Sequence, residues 1–267
     1  MTRDLRCRAA GFALLLLASG AGAQVTPDDA DGPASRVELN LGVGPLLFPA
    51  YPGSHTYRVE PLPYLSGHLG DRIEFETFDG LRITAWEDDG FSFGAAAIYR
   101  FGRRTSDDRA HLTGLRSFSD TVELGGFVSY ETGPFLLDAT LTQDPARSHG
   151  GAVLEFRALW NGQLGPLSLE AGPEVRLVSR AFAQSYFGID ARRAIASARP
   201  AYDASAGFER VGIYAQSELP LGGGFALRGL AEYGRLVGSA AGSPIVTGPG
   251  GSPNEVYLGA FLTWRFF

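Results

Sequence analysis

From Val37 onward, most of this chain alternates apolar and polar residues in runs of about 9–12 positions. Val37, Leu39, Leu41 and Val43 share one face, opposite Glu38 and Asn40. Phe91, Phe93, Ala95, Ala97, Tyr99 and Phe101 share another, opposite Ser92 and Arg100. The pattern recurs at Val122–Tyr130, Phe135–Leu141, Ala152–Trp160, Leu167–Leu177, Val211–Leu219, Phe225–Tyr233 and Val256–Phe266. Alternation alone fits a soluble sandwich or a lipocalin-like barrel, whose strands average about 5–6 residues. The longer runs here suit tilted strands that cross a bilayer. Aromatics cluster at the run ends (Tyr99, Phe101, Tyr130, Phe135, Trp160, Phe225, Tyr233, Trp264, Phe266), where membrane-interface girdles lie. A sheet can span lipid only by closing on itself. The fold class predicted is therefore all-β: an antiparallel transmembrane β-barrel of the outer-membrane type, with its apolar face to lipid.

The first residues fit that destination. Arg3, Arg6 and Arg8, an apolar run from Gly11 to Ala18, and small residues at Ala21 and Ala23 form a secretory signal over 1–23. A polar lead over 24–35 precedes a single barrel domain over 36–267. The only cysteine, Cys7, falls in the signal, so the exported part has no thiol for a disulfide or a metal. The net charge of −6, which becomes more negative once the signal is removed, argues against a nucleic-acid partner.

Counted back from the end, every long connection falls on one side and every short one on the other. Segments 104–119, 143–150, 179–206 and 237–253 are expected outside, and the turns at 87–90, 131–133, 162–165 and 220–223 in the periplasm. An even count needs one more strand between 36 and 87. Asp79-Gly80, read as a two-residue hairpin turn, supplies it by splitting 71–86, which makes twelve strands rather than ten. Ile73, Phe75, Leu81 and Ile83 nevertheless stay in phase across that turn.

The polar faces give the lumen candidates Glu123, Asp138, Glu155, Arg157, Glu170, Arg176, Glu218, Arg228, Glu232 and Arg265. Mixed signs argue against a wide pore, and leave a salt-bridged interior and a narrow, cation-preferring conduit both open. In the longest connection Asp190 caps a short helix over "DARRAIASA", and Tyr186 and Phe187 are expected to fold into the lumen mouth. Arg235 is read as leaving its strand to anchor the "GRLVGSAAGSPIV" loop. Neighbouring loop residues point apart, so Ser54-His55 makes a poor catalytic pair. His111 and His149 lack metal-ligand spacing. No catalytic residue, metal or cofactor is expected.

"PLLFPAYPGSHTYRVEPLPYL", "DDGFSFGAAAIYRFGRR", "ARPAYDASAGF" and "YGRLVGSAAGSPIV" before a terminal "WRFF" together resemble the MipA/OmpV family of outer-membrane proteins, over almost the whole exported chain. The resemblance implies a twelve-stranded-type barrel in the outer membrane of a Gram-negative cell. It also implies a non-enzymatic scaffold between a murein hydrolase and a peptidoglycan synthase. Osmotic, adhesive and drug-entry roles are associated with other members, so the alternative is a narrow uptake channel. Outer-membrane lipid and the barrel-assembly machinery are the remaining partners. Trp264, Phe266 and Phe267 resemble the terminal signal that machinery reads, although the lipid-facing register belongs to Phe266.

Overall fold

The computed structural model describes residues 37–266. The expected signal (1–23), the polar lead (24–35) and Phe267 lie outside the described residues. Twelve strands close into one antiparallel barrel, each paired with its neighbours in sequence and the last with the first. They are β1 (Val37–Pro49), β2 (Tyr57–Leu69), β3 (Ile73–Glu76), β4 (Gly80–Asp88), β5 (Phe91–Arg100) and β6 (Thr121–Thr132). The circuit continues through β7 (Phe135–Gln143), β8 (Ala152–Leu164), β9 (Leu167–Val178), β10 (Gly207–Gly222), β11 (Phe225–Leu236) and β12 (Asn254–Arg265). Among the described residues no helix is long and apolar enough to cross a membrane.

Alternation places the apolar side chains outward. Val43, Ile213 and Leu141 expose more than half their surface, while Glu123, Asp138 and Glu174 on the opposite faces are buried. Inverted relative to a soluble protein, this arrangement is stable only with hydrocarbon around it. At the short-turn end an aromatic girdle forms from Trp86 with Phe91 and Phe93, and from Trp264 with Phe225 and Phe266. Closure is made by β12 against β1, from Asn40↔Arg265 to Leu47↔Leu258, extended where Phe266 N–H donates to Leu39 C=O at 2.8 Å. The short turns use left-handed backbone. Asp89 (φ 48°) and Gly90 (φ 77°) form the two-residue link from β4 to β5, as primed hairpin turns require.

The β3–β4 link differs from the expected two-residue turn. Its loop has three residues, Thr77, Phe78 and Asp79, and Gly80 already pairs with Glu76 at φ 80°. The Glu76 carboxylate, accepting from the N–H groups of Phe78 and Asp79 at 2.8 and 2.9 Å, holds the wider loop. An odd-length loop also explains the shared phase, since Ile73 pairs with Ile83 and Phe75 with Leu81. Instead of standing above the wall, this turn folds inward. Phe78 packs on Tyr64 and Phe261, and Asp79 meets Arg157 in the lumen.

Gly80→Val is expected to destabilise the barrel. A left-handed non-glycine residue costs about 1–2 kcal/mol, and a Cβ there would lie 2.2 Å from the carbonyl oxygen of Ala97. A lower temperature for loss of compact, heat-modifiable gel migration checks this.

Candidate functional site

The interior carries the chemistry, and it is built in three levels. Nearest the long loops, arginines and carboxylates from neighbouring strands pair along the inner wall. Arg100 donates to both oxygens of Glu123 at 2.6 and 2.8 Å, and Glu123 also takes Thr142 Oγ1 at 2.7 Å and His149 Nε2 at 2.9 Å. Arg176 holds Glu155 at 2.9 Å, and Glu155 binds Arg157 at the same distance. Arg210, almost wholly buried, contacts Glu174 and Glu232 and lies 3.6 Å from Glu255. Lower down, Arg82 grips Asp138 with two bonds of 2.7 and 2.9 Å, and Arg157 reaches Asp79 at 2.5 Å. Bidentate geometry is what makes such buried pairs tolerable, because each ion has given up its hydration. Most of these pairs join neighbouring strands along the inner wall, and the Arg82–Asp138 and Arg157–Asp79 pairs reach farther across the lumen.

Above it the long loops pack into a cap. The helix α1 (Arg180–Tyr186) and the residues after it bury Phe182, Tyr186 and Phe187 among Phe118, Val153, Val178, Leu236 and Val246. A second cluster joins Tyr51, Leu112, Leu115, Ile189 and Ile245 from four different loops. Helix α2 (Ala191–Ser197) begins where the Asp190 carboxylate accepts from Arg193 N–H at 2.8 Å. One arginine ties this cap to the wall. Arg103, 1% exposed, donates to the carbonyls of Tyr186 at 2.5 Å, Ser185 at 3.3 Å and Arg116 at 3.2 Å. A cation at the end of α1 is favoured by the helix carbonyls. Burial pushes the Arg103 guanidinium down to about 10, which leaves it protonated at neutral pH.

The short-turn end is different. There the lumen widens into a cavity of about 1000 Å³ reached from the turns, lined by ten carboxylate side chains and four arginines. Arg82, Arg157 and Arg228 are matched to Asp138, Asp79 and Glu218. Glu74, Glu131 and Glu170 therefore leave the vestibule net acidic. Its roof is apolar, where Phe261 touches Tyr64 at 5.2 Å and Phe78 at 5.5 Å between centroids, with Leu159 and Leu230 beside them.

The ten lumen residues read from sequence divide among these levels. Glu123, Glu155, Arg176 and Glu232 stand in the upper layer; Asp138, Arg157, Glu170, Glu218 and Arg228 line the vestibule. Arg265 sits at the rim, 3.6 Å from Glu38. Tyr186 and Phe187 are in the core of the cap. Arg235 is a correction. Pairing of β11 with β12 continues to Arg235↔Asn254, so it remains on the strand, outward-facing and bonded to Asn254 Oδ1 at 2.7 Å, rather than in the loop. Glu209 and Arg210 were missed. A register shift between Phe208 and Arg210 turns both consecutive side chains inward, which strict alternation forbids. Ser54 spends its hydroxyl on the backbone of Thr56 (3.0 Å), and the His55 ring meets His111 edge-on. Among the described residues no group of three or more His, Asp or Glu is placed to hold a metal.

Two substitutions separate the levels. Arg210→Ala strands buried carboxylates and is expected to cost about 3–5 kcal/mol, read as a lower urea midpoint of the folded barrel. Arg103→Leu removes only bonds to carbonyls, about 1–3 kcal/mol. It is expected to expose Arg192 and Arg193 to trypsin while the barrel keeps its compact gel migration.

Among solved structures the chain is similar to an outer membrane channel from Pseudomonas putida F1, at 11% identity and TM-score 0.41, covering 91% of this chain and 100% of that one. It is also similar to a refined porin, at 10% identity and TM-score 0.33, covering 86% and 100%. OccAB3 of Acinetobacter baumannii matches at 10% identity and TM-score 0.32, covering 86% and 99%. No curated protein matches the chain. The family model described as MltA-interacting protein MipA matches residues 41–266, nearly the whole barrel. The chain belongs to the MipA family.

Proposed function

We propose that this protein is a non-enzymatic, non-conducting barrel of the Gram-negative outer membrane that anchors a peptidoglycan-remodelling enzyme on its periplasmic side. One observation carries the reading: the long loops pack into a buried apolar cap at one end of the barrel, and the lumen opens as an acidic vestibule at the short-turn end. Long loops face outward in barrels of this type, which puts the vestibule toward the periplasm and the cell wall. The family description, an MltA-interacting protein, supports a protein partner, and the sequence resemblance implies that it is a murein hydrolase of the lytic transglycosylase kind. The turns themselves are too short to grip a partner. The vestibule answers that difficulty, because a basic loop inserted between Glu74, Glu131 and Glu170 gains both charge complementarity and shelter from water.

A second reading has support from the same acid excess. A residual path through the barrel would prefer cations, as an uptake channel for small cationic solutes requires.

Planar-bilayer recording distinguishes the two. The purified barrel is expected to be silent in 1 M KCl, and steady cation-selective steps would favour the channel. Immobilised barrel is expected to retain a purified lytic transglycosylase. Replacing Glu74, Glu131 and Glu170 together with Gln is expected to weaken retention about tenfold at low salt. Unchanged retention would remove the vestibule as the docking site.

A further inference from the structure

At the long-loop end, two side chains come together whose chemistry neither the cap nor the vestibule uses. His55 lies in the loop between β1 and β2, and His111 in the helical turn Arg109–Leu112 between β5 and β6. Their rings approach to 5.7 Å between centroids, inclined at 72°.

The backbone of a third loop positions both. His55 N–H donates to Gly250 C=O at 3.1 Å, and the neighbouring Ser54 pairs with Gly251. Tyr51 donates its hydroxyl to the same Gly250 carbonyl at 3.0 Å. The His111 ring packs against this glycine, where a Cβ would come within 2.3 Å of Cγ and Cδ2 of the imidazole. At φ 82° Gly250 also has the left-handed backbone that glycine adopts without strain. Arg199 frames the place from behind, donating to the carbonyls of His111 at 3.3 Å, Pro249 at 2.9 Å and Pro244 at 2.5 Å.

A further contact decides which nitrogen is free. His111 Nδ1 meets the Asp108 carboxylate at 2.8 Å. A carboxylate on one ring nitrogen keeps the proton there and leaves the other as a lone-pair donor of raised basicity, the arrangement that metal-binding imidazoles use. Among the described residues His111 Nε2 has no hydrogen-bond partner, and neither ring nitrogen of His55 has one. The His55 side chain is exposed, so the pair is open to solvent. Its spacing suits a shared ion. With bonds of about 2.1 Å, two imidazoles on one ion have centroids about 5–6.5 Å apart, and 5.7 Å falls in that range.

We infer that His55 and His111 form a surface site for a divalent transition-metal ion of the Cu2+, Ni2+ or Zn2+ class. Two imidazoles bind the ion, water fills its remaining positions, and Asp108 acts as the positioning carboxylate. Imidazole suits these ions, whereas Mg2+ and Ca2+ take oxygen ligands. Two protein ligands are fewer than the four of a closed structural zinc site, so the ion stays exchangeable. The Arg199 charge, spent on carbonyls beside the site, opposes binding and keeps it modest. The inference does not rest on the scaffold reading, because the pair stands at the other end of the barrel from the vestibule.

Copper titration tests it, with the full barrel purified without a polyhistidine tag. One Cu2+ per barrel is expected, with an electron paramagnetic resonance spectrum showing coupling to two imidazole nitrogens. His55→Ala and His111→Ala are each expected to leave one coupled nitrogen. Asp108→Asn keeps an acceptor for Nδ1 but loses the charge; it is expected to weaken binding about tenfold with both couplings retained. His68→Ala, in the vestibule lining, is expected to change neither affinity nor spectrum. His55→Gln replaces His55→Ala should that variant lose compact gel migration. A wild-type spectrum with fewer than two coupled nitrogens overturns the site, as does equal Cu2+ affinity in the wild type, His55→Ala and His111→Ala.

Discussion

The demand that every backbone N–H and C=O find a partner away from water governs this structure. Hydrocarbon offers no hydrogen bonds, so the ladder must close, and β12 must return to β1. Strand length, even strand number and the short turns at one end follow from that closure.

Closure creates a second difficulty, an interior into which every other residue points. This chain meets it differently at its two ends. Near the loops, arginines pair with carboxylates of neighbouring strands, and Arg210 alone joins residues of β9, β11 and β12. A desolvated ion is tolerable only when its partners are fixed, and the strands fix them. The cap is tied down through Arg103, which neutralises no acid but gathers carbonyls from two loops. At the turn end acids outnumber arginines and the lumen stays open to water.

Much of this was legible from residue order. Every alternating run became a strand with its apolar face outward, and the charged faces became the lumen. What escaped shares a physical cause. Glu209 joins Arg210 inside only because a bulge breaks the two-residue period. The turn at Thr77–Asp79 enters the lumen because Glu76 holds a three-residue loop and Arg157 draws in Asp79. Arg235 stays on its strand because Asn254 continues the pairing. Leu62, Tyr64 and Phe261 occupy the polar phase of their strands, and their grouping becomes visible only when β1, β2 and β12 are side by side.

By itself the sequence determined the period, and with it the solvent: alternating runs of this length are stable as strands with lipid on one side. It also determined that the long connections gather at one end of the barrel and the short ones at the other. Only the tertiary structure decided whether the lumen is open. That outcome depends on which arginine meets which carboxylate on the neighbouring strand, and on where the long loops bury their apolar side chains. Such contacts join residues far apart in the chain, and no local period records them.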